Sequence, residues 1–155
     1  MSHSAELAGK AVLITGAAGC IGAWVVKQLC ELGATPVVFD IAENRERLHL
    51  IMPDAESVTW ALGDITDFER LLEVAETHNI EAIIHLAALQ VPFCKADPIG
   101  STRINVMGSI HMLELARQRG ITRMSYASSV AAPAMGDNDW LATLYGAHKI
   151  CGEQM

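Results

Sequence analysis

The sequence predicts an α/β fold, a doubly wound parallel sheet. Three observations carry that expectation. Strand-like and helix-like segments alternate to the last residue. The strand-like runs are near-continuously apolar, as in strands covered on both faces. A glycine-rich turn joins the first run to the first helix. The 155 residues suit one domain over 1–155, and 51% hydrophobic content with a mean hydropathy of +0.27 supplies a sizeable core.

The strand-like runs are "KAVLIT" (10–15), "PVVFD" (36–40), "SVTWAL" (57–62), "EAIIHLA" (81–87) and "RMSYAS" (123–128). From Cys20 to Leu32, apolar Ile21, Val25, Leu29 and Leu32 recur at helical spacing, and Gly33 stops the helix. Thr66 and Glu69 read as a capping box for the segment holding Leu71, Leu72 and Ala75. Asp97-Pro98 reads as a cap followed by proline in the first turn, opening a helix that runs to Arg119 and ends at Gly120. Such βα units in series imply right-handed crossovers and a strand order of 3-2-1-4-5, with ligands outside the carboxyl ends of the strands.

Composition excludes several classes. A net charge of −7 without a basic stripe argues against nucleic acid and anionic membranes. No apolar run approaches the ~18 residues that cross a bilayer, and the opening residues lack the order of a secretory signal, so the cytoplasm is the expected compartment. Cys20, Cys30, Cys94 and Cys151 form no CxxC pair, and the histidines no ligand cluster, so neither disulfides nor a metal site is expected.

"TGAAGCIG" (15–22) falls between the first strand and the first helix, with Gly16, Gly19 and Gly22 at G-x-x-G-x-x-G. The first glycine permits the tight turn. The second lets backbone amides approach a pyrophosphate, and the third lets helix and sheet pack closely. The helix N-terminus adds unpaired donors and partial positive charge. Gly16, Ala18, Gly19, Cys20, Ile21 and Gly22 are therefore candidate cofactor-binding residues of a Rossmann-like fold.

Asp40 ends the second strand roughly 20 residues beyond the loop, the place of a carboxylate that binds the adenosine ribose hydroxyls. A carboxylate there repels a 2′-phosphate, which selects NAD over NADP; Arg45 and Arg47 nearby are the argument on the other side. Asp64 and Ile65 in "GDITD" are candidates for the adenine, with a turn-capping role the competing reading of Asp64. Leu86, Ala87 and Ala88 supply small residues where backbone must pass close to the cofactor, and His85 reads as a packed strand residue.

"TGAAGCIG", "FD", "GDITD", "HLAA", "RINVMGS", "YASS" and "YGAHK" occur in the order seen in short-chain dehydrogenase/reductases. The set resembles their extended group, the NAD-dependent epimerase/dehydratase family, over residues 10–155. That resemblance implies Tyr145 as general acid/base and Lys149 as the residue that binds the nicotinamide ribose and faces the tyrosine. It implies Ser129 as the hydroxyl that holds the substrate oxygen, with Ser128 the alternative, and matches Asn105 to the family's helix asparagine. Tyr145 and Lys149, at i and i+4, share one helix face. A free phenol ionises near pH 10, so a phenolate base at neutral pH needs positive charge beside it. His148 lies about 100° round the helix and receives no role.

The expected function is NAD-dependent oxidoreductase, epimerase or dehydratase chemistry on a sugar or sugar-derived hydroxyl, through tyrosine-assisted hydride transfer. The short segment "VAAPAMGDNDWLATL" between Ser129 and Tyr145 makes a free sugar or sugar acid as plausible as a nucleotide sugar, and Lys95 is a candidate contact for an anionic one. Family members run on for as many residues again, so the resemblance implies the N-terminal half, without the later strands and substrate lobe. It also implies a homodimer through the long helix and the Tyr145–Lys149 helix. The alternatives are a dinucleotide-binding module without turnover and an interaction subunit.

Overall fold

The computed structural model describes residues 4–133 and 142–155. In chain order these form α1 (Ser4–Leu7), β1 (Ala11–Thr15), α2 (Cys20–Glu31), β2 (Thr35–Asp40), α3 (Glu46–Ile51), a 3₁₀ turn (Ala55–Ser57), β3 (Thr59–Leu62), α4 (Phe68–Thr77) and β4 (Ala82–His85). There follow α5 (Val91–Ala96), α6 (Pro98–Thr102), a π-helical turn (Arg103–Met107), α7 (Gly108–Arg119), β5 (Met124–Tyr126) and α8 (Leu144–Gln154).

The strands make one sheet in the order β3-β2-β1-β4-β5, every pairing parallel. Alternation along each strand sends side chains to two cores, which is why the runs are apolar throughout. Leu13, Val37, Phe39 and Ile83 pack with Leu71 of α4 and Met112 and Leu115 of α7. Val12, Ile14 and Val38 pack on the other face with Val26 and Leu29 of α2 and Leu48 of α3.

Local signals set most boundaries. Gly33 and Gly120, both at positive φ, follow the ends of α2 and α7. Asp97 accepts from the Gly100 amide at 2.9 Å and Pro98 opens α6, as the sequence suggests. Three readings need correction. The cap of α4 is Asp67, which accepts from the Arg70 amide at 3.0 Å, because Thr66 is already bound to Asp64. The buried stripe of α2 is Gly22, Ala23, Val26 and Leu29; Ile21 is 71% exposed, since close packing of Gly22 on the turn sets the helix register. The long helix is interrupted by the π-helical turn at Asn105. No helix of the described residues is long and apolar enough to cross a membrane.

Candidate functional site

A groove of about 560 Å³ crosses the carboxyl ends of β1, β4 and β5 and the N-terminus of α2. Its walls include Gly16, Ala18, Gly19, Cys20, Ile21 and Gly22 of the glycine loop, Asp40, Leu86, Ala87, Ala88, Ala127, Ser128, Tyr145 and Lys149. Two ends of the chain thus meet in one cavity, because parallel strands deliver all their C-terminal ends to the same edge.

The loop is built around contacts that side chains would break. Gly16 has φ +72°, and a Cβ there would sit 2.8 Å from Ala87 backbone; a Cβ on Gly22 would sit 2.4 Å from Ala17 Cα. Gly19 caps α2 with no side chain, so the first-turn amides of α2 have neither a side-chain acceptor nor an intrahelical carbonyl. An anion is the natural partner for such donors. Beside them Asp40 accepts from the Ala18 amide at 3.3 Å and the Ile41 amide at 2.9 Å, which fixes the carboxylate on the groove. This cradle has the donors and the carboxylate that a dinucleotide requires.

A second cavity of about 230 Å³ continues from this end, lined by Gly16, Phe39, Asp40, Ile41, Asp64, Ile65, Ala87, Ala88 and Ile104. Its apolar walls suit a purine ring. Asp64 caps its own turn, accepting from the Thr66 amide and hydroxyl at 2.8 Å each, so its carboxylate is largely engaged. Ile65 is buried against the α7 glycine, Gly108.

At the other end, half-buried Tyr145 and buried Lys149 stand on α8, whose first turn is capped by Thr143 through the Gly146 amide at 3.0 Å. The Lys149 ammonium donates to the Ala127 carbonyl at 2.6 Å and lies 4.7 Å from the Tyr126 ring centre and 5.6 Å from that of Tyr145. Burial lowers its pKa from the usual lysine value.

The two serines separate. Ser128 lines the groove and donates to the Glu153 carboxylate of α8. Ser129 does not line it; its hydroxyl accepts from the Ala131 amide at 3.2 Å, a turn-capping role. Asn105 also stands behind the wall rather than on it. It is buried, accepts from the Leu89 amide at 2.7 Å and donates to the Leu89 carbonyl at 2.8 Å, holding the loop after β4. His85 is buried between Thr15 and Ser109, and burial followed by the Lys149 charge lowers its pKa to about 4, so it is neutral at ordinary pH.

Gln90 and Arg47 also line the groove. Arg47 donates to the Ala18 carbonyl at 2.9 Å, whereas Arg45 is tied to Glu43 and to the Ala55 and Val58 carbonyls. Sequence alone does not separate the two arginines; the start of α3 does, with Arg45 before it and Arg47 in its first turn. Lys95 faces a different cavity, shared with Val91, Cys94, Pro98 and Tyr145. Residues 134–141, most of the short segment before Tyr145, lie outside the described residues.

The chain is similar in sequence and in fold to known proteins. The chain is 37% identical over 126 residues to a UDP-glucose 4-epimerase of Rhizobium leguminosarum bv. trifolii, covering 81% of this chain and 37% of that protein. Among solved structures it resembles UDP-glucose 4-epimerase from Brucella ovis in complex with NAD (TM-score 0.76, 29% identity, 95% of this chain and 46% of that one). It also resembles L-threonine dehydrogenase from Clostridium difficile (TM-score 0.78, 30% identity, 95% of this chain and 48% of that one). The chain thus spans a little over a third of that curated relative (37%) and just under half of these solved chains (46% and 48%). The NAD dependent epimerase/dehydratase family matches residues 12–155, from β1 through the glycine loop to the Tyr145–Lys149 helix, and the chain belongs to that family.

Proposed function

We propose that this chain binds NAD in the groove and carries the proton-transfer machinery of an oxidoreductase or epimerase acting on a secondary hydroxyl of a sugar or sugar-derived substrate. One observation supports it above the others: the glycine-loop amides, Asp40, Tyr145 and Lys149 all line a single cavity. The amides of the loop would hold the diphosphate, Asp40 the adenosine ribose, and Lys149 the second ribose. Bound NAD accepts hydride from a carbinol carbon and can return it. Tyr145 takes the hydroxyl proton as its phenolate and gives it back in the reverse step. The Lys149 ammonium beside its ring favours that phenolate. Similar proteins include both a UDP-glucose 4-epimerase and an L-threonine dehydrogenase, which supports the reaction class more than any one substrate.

The second reading is a dinucleotide-binding module without turnover. It is favoured by Ser129, whose hydroxyl is spent on the Ala131 amide rather than offered to the groove. We also propose a homodimer through α7 and α8, supported by Met107, Ile110 and Leu113, which leave apolar side chains 44%, 36% and 36% exposed at three-residue intervals.

Calorimetric titration with NAD⁺ tests binding. A screen of sugars, sugar acids and nucleotide sugars for NADH formation or epimer production, with Tyr145→Phe as control, tests turnover. Binding without turnover of any substrate class leaves the second reading; full activity in the Phe variant removes Tyr145 from the chemistry.

A further inference from the structure

His148 follows Tyr145 by three positions on α8 but turns away from the groove into the protein, where it is 4% exposed. Its ring faces Cys94 of α5, Thr102 of α6 and Asn105 of the π-helical turn. One arrangement of protons satisfies the shortest hydrogen bonds around it. The Leu89 amide must donate and the Leu89 carbonyl must accept, so Asn105 presents Oδ1 to the first (2.7 Å) and Nδ2 to the second (2.8 Å). The other Nδ2 hydrogen has His148 Nδ1 at 3.2 Å and Cys94 Sγ at 3.5 Å; given to the nearer of the two, it makes Nδ1 an acceptor. On the opposite edge, the Thr102 hydroxyl donates to the Pro98 carbonyl at 2.7 Å, so it accepts from His148 Nε2–H at 3.1 Å. In that arrangement the ring is neutral, with its proton on Nε2.

We propose that His148 is a positioning residue, whose unprotonated Nδ1 keeps the Asn105 amide turned to clamp Leu89 and so holds the groove wall against the Tyr145–Lys149 helix. This rests on the groove being the cofactor site. The wall residues Ala88 and Gln90 flank Leu89 directly, Leu86 and Ala87 precede them, and α8 carries His148 next to Lys149. Protonation would set two N–H groups face to face. Asn105 then relieves the clash only by turning over, which withdraws both bonds from Leu89, or by α8 moving off. Either change alters the groove at the nicotinamide end.

The groups facing the ring oppose its protonation. Cys94, Thr102 and Asn105 bring a thiol, a hydroxyl and an amide, none of them a carboxylate; on its own helix Tyr145 is a phenol, and the Lys149 ammonium is turned to the Ala127 carbonyl. Burial lowers the imidazole pKa below its ordinary value, so the charged form appears only on the acid side of neutrality.

The test has two parts. Nitrogen NMR of the His148 ring, assigned by its loss in His148→Asn, reads the tautomer without cofactor; protonated Nε2 and bare Nδ1 are expected, and a proton on Nδ1 overturns the proposal. NAD⁺ titrations from pH 8 to pH 5 then compare variants. Wild type is expected to lose affinity as the pH falls. His148→Asn, which offers a non-titrating acceptor near the Nδ1 position, is expected to bind as wild type at pH 8 and to keep its affinity at pH 5. His148→Leu is expected to bind poorly at every pH. An Asn variant that falls as steeply as wild type overturns the role. If no variant binds NAD⁺ at any pH, the cofactor reading fails instead, and the clamp is judged by whether the Asn105 side-chain amide resonances shift with His148 protonation; amides that stay fixed overturn it.

Discussion

The Lys149 ammonium lies 5.6 Å from the centre of the Tyr145 ring and is anchored by a 2.6 Å hydrogen bond to the Ala127 carbonyl at the end of β5. The anchor matters as much as the distance. A lysine buried to 3% exposure is costly unless paired, and here a strand-end carbonyl and two aromatic faces take that role. The cation is therefore fixed between the phenol and the groove.

Under the proposed function, replacing Tyr145 by Phe removes the proton carrier and little else. Turnover is expected to drop by about 10²–10⁴-fold, with NAD⁺ affinity within a few-fold of wild type. Lys149→Met is expected to reduce both, because it also strips the groove of its buried cation. Steady-state kinetics and calorimetry on the same preparations separate the two patterns.

The glycine loop has no room for a methyl group at the start of α2. In Gly22→Ala the new Cβ meets Ala17 Cα at 2.4 Å, so α2 must move off β1. A cost of about 1–3 kcal/mol is expected from overpacking, seen as a lower urea midpoint together with loss of NAD⁺ binding. Unchanged binding would mean that the loop is not the diphosphate site.

Stability should follow the charge state of His85. Its folded pKa, about 4, lies below the usual 6.5, so below pH 6.5 the unfolded chain takes up a proton that the folded chain refuses. The stability is fully present above pH 6.5 and is lost as pH falls toward 4. The difference is about 3 kcal/mol, measurable as urea midpoints at pH 7, 5 and 4. His85→Gln is expected to flatten that slope while lowering stability at pH 7, since Thr15 and Ser109 lose their shared partner.

Cofactor choice should rest on Asp40 against Arg47. Wild type is expected to prefer NAD⁺ over NADP⁺ by at least about tenfold, or ~1.4 kcal/mol. Asp40→Asn should narrow that gap by removing the charge that repels a 2′-phosphate, and Arg47→Met should weaken NADP⁺ more than NAD⁺. Parallel titrations of the two nucleotides check both.

Much of this architecture is visible in the sequence, for identifiable reasons. Parallel strands buried on both faces must be apolar throughout, so runs such as "AVLIT" and "PVVFD" announce themselves, and the strand order follows from the crossovers. Gly16 and Gly22 are legible because the backbone at those points excludes any side chain. What escapes is whatever depends on rotation about a helix or the last residue of a strand. Ser128 and Ser129 are adjacent, yet the turn at Ala131 takes one hydroxyl and leaves the other on the groove. Arg45 precedes the short helix α3 and Arg47 lies within it, and only the second reaches the groove. His148 has no periodic signature, and its partners Thr102, Asn105 and Cys94 lie on three separate segments that meet only in the folded chain.

The central claim is that the glycine loop and the Tyr145–Lys149 helix serve one bound dinucleotide. A crystal structure of the chain soaked with NAD⁺ tests it most directly. The account predicts the diphosphate on the first-turn amides of α2, a ribose at Asp40, and the second ribose within hydrogen-bonding distance of Tyr145 and Lys149. An empty loop, or a nucleotide bound away from Tyr145, would contradict it.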